Sequence, residues 1–336
     1  MKPVRWGILG TGRMAAEMAM ELQRLASQGA QLCAVASRSV ETAKAFSLRY
    51  AAPRAYGSYS ELAADPAIDI VYVATPPSEH ADHMLLCIEN RKAVLCEKPF
   101  TLNAQQARRA IDSARAKGVF LMEAMWTRFL PSMAALRQLQ QAGTLGRIDL
   151  IIAGGAFIPN CSAEYYLLNR TLGGGALLDA GVYLISLSSM LLGPPSRIRA
   201  ALDIGSSGVD EHDALILEHA SGAKALLYVS MRARRAPDME ILGTAGRILV
   251  GAPIFKPTQL IVTPSSSSPV TREFPAEGNG YGYQLLAVMQ ALRDRQTECA
   301  LMPLAETLSI METLDEARRQ NGLRYPGEDS AMPAGD

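Results

Sequence analysis

The chain reads as α/β: an N-terminal doubly wound parallel sheet followed by a second domain with a largely antiparallel sheet. Three observations predict this. The 336 residues exceed the roughly 100–200 expected for one domain, which favours two. Up to residue 120, short β-branched runs alternate with helical patterns, the mark of βαβ units. After residue 125, consecutive strand-like runs follow one another with Gly, Pro and Ser turns.

In order, the first domain reads VRWGILG, a helix over 14–28, LCAVASR, a helix over 39–51, DIVYVAT, a helix over 78–91, AVLCEKP, a helix over 103–117 and VFLMEA. The runs ILG and IVYVA are almost wholly apolar, as expected of strands covered on both faces. The second domain begins with a helix over 131–142, the strand IDLIIAGGAF and a helix over 176–192. Strand-like runs follow at 197–205, 213–220, 223–231, 238–242, 247–250 and 259–263, and helices at 281–294 and 303–320 close it. The expected boundaries are 1–123, 124–325 and a flexible tail over 326–336.

Lys+Arg and Asp+Glu both number 33, so no bulk charge draws the chain to nucleic acid or an anionic membrane, and small molecules are the expected partners. The five cysteines show neither CxxC nor zinc-like spacing, which suits a reducing cytoplasm. The start, MKPVRWGILGTG, enters a strand at once and lacks the regions of a signal peptide. The apolar window 176–193 approaches membrane-spanning length, yet it contains Asp179 and several hydroxyl groups, so a buried helix of a soluble protein is expected.

Residues 7–15, GILGTGRMA, hold Gly10-x-Gly12-x-x-Ala15 between the first strand and the first helix. Gly10 allows the tight turn, Gly12 admits a pyrophosphate close to backbone, and Ala15 permits close helix–strand packing. The helix N-terminus then faces the phosphates, with Arg13 and Met14 in its first turn among the cofactor-binding candidates. These features predict a Rossmann dinucleotide site. The second strand ends Ala36-Ser37-Arg38-Ser39 with no acid before Glu41. An acid there would bond the ribose 2′-hydroxyl of NAD, whereas Ser37 and Arg38 can bond and charge-pair a 2′-phosphate. NADP is therefore expected, with NAD as the alternative.

VLCEKPF (94–100) puts Glu97 and Lys98 at the C-terminal edge of a strand, where open α/β sheets bind ligands. Pro99 restricts Lys98 to extended backbone. Alone, Lys98 also reads as a snorkelling lysine at a strand end. His80 and His83 form an HxxH pair, but no third ligand is evident nearby and no metal is expected.

The GxGxxA turn, the βαβ rhythm and EKP together resemble the Gfo/Idh/MocA family of NAD(P)-dependent oxidoreductases over nearly the whole chain. EAMWTRFLP (123–131), GGGALLDAGVY (173–183), GVDEHDALIL (208–217) and ILGTAGRILV (241–250) are similar to its branch of dihydrodiol and NADP-dependent xylose dehydrogenases. The resemblance implies a C-terminal domain with an open sheet that joins copies into a homodimer or homotetramer. It implies that Lys98 is catalytic, that Thr75, Pro76 and His80 line the nicotinamide and ribose region, and that Trp126 and Arg128 reach the cofactor from the domain junction.

Asp179 and Tyr183 lie four apart on one helix and so share a face, extended by Ser186 and Met190. Helical spacing alone is met equally by an Asp179 capping a local turn and a Tyr183 bonded to backbone. Carried over from the resemblance, Lys98, Asp179 and Tyr183 form the catalytic group. A tyrosine of pKa about 10 is a poor base at neutral pH, and an adjacent ammonium favours its phenolate. Tyr183 would remove the substrate hydroxyl proton, Lys98 would support it and bind the oxygen, and Asp179 would orient both. Lys98 itself is the other proton-transfer candidate.

Gly173–Gly175 lack the GKS/GKT of a phosphate loop and are read as letting the chain pass close to the nicotinamide. Tyr165 and Tyr166 are candidates to line the substrate pocket, ahead of Asn160 and Cys161. The implied activity is hydride transfer on a secondary alcohol or hemiacetal of a sugar or cyclic vicinal diol. A keto-sugar reductase, nucleotide-linked or not, and a non-catalytic NADP-binding sensor are the alternatives.

Overall fold

A computed structural model describes residues 2–162 and 164–328, so 329–336 of the expected tail lie outside it. The chain forms two compact units, Met1–Phe129 with Ala276–Leu308, and Leu130–Pro275 with Ser309–Asp336.

The first unit runs β1 (Val4–Leu9), α1 (Arg13–Arg24), β2 (Ala30–Ala36), α2 (Val40–Arg49), β3 (Arg54–Tyr56), α3 (Tyr59–Ala64), β4 (Ile70–Val73), α4 (His80–Glu89), β5 (Ala93–Cys96), α5 (Ala104–Lys117) and β6 (Leu121–Glu123). The six strands are parallel in the order β3-β2-β1-β4-β5-β6. Strand order therefore reverses between β1 and β4, the switch point at whose C-terminal edge such sheets bind ligands. Ile8, Leu9, Val71, Tyr72, Val94 and Leu95 are fully buried, which explains the apolar runs.

The second unit contains α6 (Pro131–Gln141), β7 (Ile148–Ala156), α7 (Val182–Leu192), β8 (Pro195–Ile204), β9 (Asp210–His219), β10 (Lys224–Ser230), β11 (Arg235–Gly243), β12 (Gly246–Val250), β13 (Gln259–Pro264) and β14 (Val270–Glu273). Its eight-stranded sheet, β14-β13-β12-β11-β7-β10-β9-β8, is antiparallel except where β7 pairs with β10. One sheet face is buried through Ile151, Leu215, Leu227, Met239 and Ile248. On the other face Ile152, Leu226 and Ile216 stand side by side in register and remain 37%, 37% and 40% exposed.

Three expectations change. The segment 276–308, read as part of the second domain, packs with the first unit. It carries α8 (Gly282–Arg293), which buries Leu285, Val288 and Met289, and Asn279 bonds Glu17 and Glu21 of α1. The last helix, α9 (Leu304–Gln320), begins in that segment. Second, the helix expected from 176 opens with a π turn, Leu177–Gly181, before α7. A Cβ at Gly181 would stand 3.1 Å from the Leu177 side chain. Third, β3, α3 and β14 are additional, each too short to show a period. Arg170–Leu192 is long and apolar enough to cross a membrane by composition, but 72% of its apolar window is buried inside the protein.

Candidate active site

The predicted side chains fall in both units. In the first, Gly10 takes φ +101°, and a Cβ there would lie 2.7 Å from the Ala74 carbonyl oxygen, so the β1–α1 turn requires glycine. Gly12 is the N-cap of α1 and has nothing within 4 Å of its Cβ position. The first turn of α1 contains no acid, and no side chain caps it. Open space before uncapped helix N–H groups is what a pyrophosphate needs. Arg13 is exposed there and Met14 half-buried.

Ser37 donates its N–H to Tyr56 O at 3.1 Å, and Arg38 is exposed beyond it. Ser39 caps α2, accepting from Thr42 N at 3.3 Å, and its hydroxyl donates to Glu41 at 2.8 Å. The first acid after β2 is thus bound into the α2 cap.

Thr75 Oγ1 lies 2.9 Å from His83 Nδ1, and Pro76 is half-buried beside it. His80, predicted to line the nicotinamide region, is buried with Nδ1 2.8 Å from Pro99 O and Nε2 2.8 Å from Thr75 O. Its ring staples the loop after β4 to the segment bearing Lys98. Burial pushes it down to about 4, against the pull of both carbonyls.

Glu97 is buried and accepts a hydrogen bond from Tyr72, while Lys98 is half-buried and joined to Pro99 by a cis peptide. Burial pushes Glu97 up to about 6, opposed by Tyr72, Lys98 and Arg13. Behind it, Glu123 accepts from Phe100 N at 3.1 Å, and burial pushes it up to about 7 against Arg128. A carboxyl raised from 4.5 to about 7 gives stability that is full below pH 4.5 and lost as pH rises to about 7. Relative to the wild type, Glu123→Gln is expected to gain about 3 kcal/mol of unfolding free energy between pH 4.5 and 8. Urea unfolding of both proteins at the two pH values checks this, and a pH-independent difference contradicts it.

Trp126 stacks on Tyr281 with ring centroids 4.3 Å apart, and the Tyr281 hydroxyl lies 4.0 Å from Met14 Sδ. Tyr281 thus joins the aromatic wall at the α1 turn, a position the sequence reading missed. The only local signal was GNGYGY, where Gly278 and Gly280 take positive φ. Arg128, predicted to reach the cofactor, is instead buried and paired with Glu306 at 2.6 Å.

In the second unit, Asp179 lies in the π turn and Tyr183 in the first turn of α7. Both are half-buried, as is Met190, whereas Ser186 is buried. The Tyr166 hydroxyl donates to Asp179 Oδ1 at 2.8 Å, and the Tyr165 ring lies 4.7 Å from that of Tyr166. Tyr183 faces the ring of Phe255 at 6.3 Å. Cys161 packs with Tyr166 against the cluster of Leu167, Ala176, Val229 and Met231, and Asn160 is exposed. The glycine run has an internal cause. A Cβ on Gly174 would collide with the Tyr166 and Leu167 carbonyls, and one on Gly175, at φ +125°, with the Asp210 carboxylate.

Comparison with known proteins follows this geometry. A profile for an oxidoreductase family with an NAD-binding Rossmann fold matches residues 4–125, and one for the GFO/IDH/MocA C-terminal domain matches 133–249. Human trans-1,2-dihydrobenzene-1,2-diol dehydrogenase is 34% identical over 330 residues, covering 96% of this chain and 98% of the relative. The chain belongs to the Gfo/Idh/MocA family.

Within Gfo/Idh/MocA, the Xenopus laevis trans-1,2-dihydrobenzene-1,2-diol dehydrogenase is 36% identical over 332 residues, covering 96% of this chain and 99% of that one. A levoglucosan dehydrogenase in complex with NADH and levoglucosan shares the fold at TM-score 0.87 and 20% identity, over 95% of this chain and 98% of the other. A 3-ketoreductase from Actinomadura kijaniata in complex with NADP and TDP-benzene aligns at TM-score 0.84 and 25% identity over the same shares. The chain is an oxidoreductase with an NAD(P)-binding Rossmann domain, and the Gly10 and Gly12 turn fits that cofactor.

Proposed function

We propose that this oxidoreductase moves a hydride between NADP and a secondary alcohol or hemiacetal carbon of a sugar or cyclic vicinal diol. The observation that carries this reading is the full-length match to trans-1,2-dihydrobenzene-1,2-diol dehydrogenases. When bound, NADP⁺ supplies the hydride acceptor. The uncapped α1 turn behind Gly12 binds its pyrophosphate, and Met14, Trp126 and Tyr281 line the adjoining wall. Ser37 and Arg38 take the 2′-phosphate, a reading supported by Glu41 being bound into the α2 cap.

Turnover requires Lys98, Asp179 and Tyr183. Tyr183 removes the substrate hydroxyl proton, Lys98 holds the oxygen, and Asp179, held by Tyr166, sets the orientation. Tyr165 and Tyr166 line the substrate pocket. His80 and Arg128 act by fixing backbone and burying charge.

A screen of D-xylose, D-glucose, inositols and trans-dihydrodiols with NADP⁺ and NAD⁺ in parallel tests this. Turnover with NADP⁺ preferred is expected, and preference for NAD⁺ would overturn the assignment of Arg38. A second reading, reduction of a keto-sugar, is favoured by the 25% identical 3-ketoreductase. Oxidation of NADPH by 3-keto-sugars and not by lactones would select it. The exposed row Ile152, Leu226 and Ile216 supports association through the open sheet into a homodimer or homotetramer. A monomeric mass in sedimentation velocity would contradict that.

A further inference from the structure

We propose that Asp210 is a positioning residue that fixes the start of the helix bearing Asp179 and Tyr183. The proposal rests on the reading of Asp179 and Tyr183 as catalytic. Asp210 opens β9 and is fully buried. Its Oδ2 accepts the Leu177 N–H at 2.5 Å, and Leu177 begins the π turn that carries Asp179 two residues later. Its Oδ1 fills the space where a Cβ on Gly175 would stand. One carboxylate therefore fixes both the entry into the helix and its first N–H, where the helix dipole favours a negative charge.

The surroundings favour one proton on the pair. Asp213, also fully buried, faces Asp210, and burial with the Asp210 charge holds it well above the usual carboxylate range. Burial raises Asp210 too, but Asp213, the Leu177 N–H and Arg318 pull it back towards the charged form. Asp203 and Arg232 also act on Asp213, with opposite signs. Asp213 is thus the member of the pair that more readily takes up a proton. The C-terminal segment closes the same cluster. Tyr325 donates its hydroxyl to Gly174 O at 2.6 Å under the Arg318 guanidinium, which lies 4.9 Å from its ring and is tied to Asp315 and Glu328.

The test compares Asp210→Asn and Asp213→Asn. Asn at 210 removes the charge that holds the Leu177 N–H, whereas Asn at 213 leaves the Asp210 carboxylate in place. For Asp210→Asn, kcat is expected to fall roughly ten- to hundred-fold with KM and NADPH affinity little changed, because reacting groups lose alignment rather than contact. Asp213→Asn is expected to lose less than about threefold, since the Asp210 carboxylate still holds the Leu177 N–H. Hydrogen exchange over 176–183 should accelerate in Asp210→Asn and stay near wild type in Asp213→Asn. Wild-type kcat and exchange in Asp210→Asn would overturn the proposal. So would an Asp213→Asn loss of about tenfold or more, which also decides the matter if Asp210→Asn fails to fold. Absence of wild-type turnover on every substrate would defeat the functional reading instead, and the exchange comparison would still decide whether Asp210 fixes the helix.

Discussion

Lys98→Met is expected to lower turnover roughly 10²–10³-fold on the true substrate while NADPH binding stays within a few-fold of wild type. The magnitude follows from removing a fixed positive donor at the point where alkoxide character develops. The split follows from the structure, because the pyrophosphate turn is built by Gly10, Gly12 and the α1 N-terminus. Lys98 leaves a segment held from behind by His80 on Pro99 O and, one residue earlier, by Tyr72 on Glu97. Methionine keeps much of the stem's length and removes the ammonium, so the loss reports charge rather than packing. Steady-state kinetics with fluorescence titration of NADPH measures both quantities. Near wild-type turnover would remove Lys98 from the mechanism.

Tyr183→Phe carries the second large effect, a fall in kcat of roughly 10²–10⁴-fold, the usual span for loss of a positioned acid–base group. Only a hydroxyl is deleted. The ring that faces Phe255 remains, and the flanking Val182, Leu184 and Ile185 stay buried, so the fold is expected to survive. The pH profile separates the two proton-transfer candidates. If Tyr183 is the base, the wild-type kcat is expected to rise towards alkaline pH and the phenylalanine variant to lose that dependence. A residual rate with the same dependence would assign the proton to Lys98.

The first unit was largely legible because parallel strands buried on both faces write continuous apolar runs, and because the α1 turn needs glycine for stated geometric reasons. Its strand order could follow from rhythm plus crossover rules. Arg54–Tyr56 escaped notice because three half-buried residues carry no period. The assignment of 276–308 to the second domain failed for a different reason: Asn279 meets Glu17 and Glu21 across more than half the chain, and chain order contains no trace of that contact.

In the candidate site, the helical spacing of Asp179 and Tyr183 was visible, but the π turn beneath Asp179 was not. Its first residue, Leu177, is held by Asp210 from β9, a contact chain order does not show. His80 and Arg128 show the opposite failure. The family resemblance implied ligand contact, whereas burial and the acceptors at Pro99, Thr75 and Glu306 turn both side chains inward. Polar residues near a site are as often its supports as its contacts. Only the hydrogen-bond partners distinguish the two.

The most direct measurement follows the hydride itself. The enzyme is mixed with NADP⁺ and substrates deuterated at the reacting carbon, D-xylose at C1 and a trans-dihydrodiol at its carbinol carbons, and the reduced cofactor is analysed by mass spectrometry. One deuteron is expected on the nicotinamide ring with the wild type and almost none with Lys98→Met or Tyr183→Phe. Saturable NADPH binding with no label transferred from any sugar or diol would contradict it and would identify a cofactor-binding sensor instead.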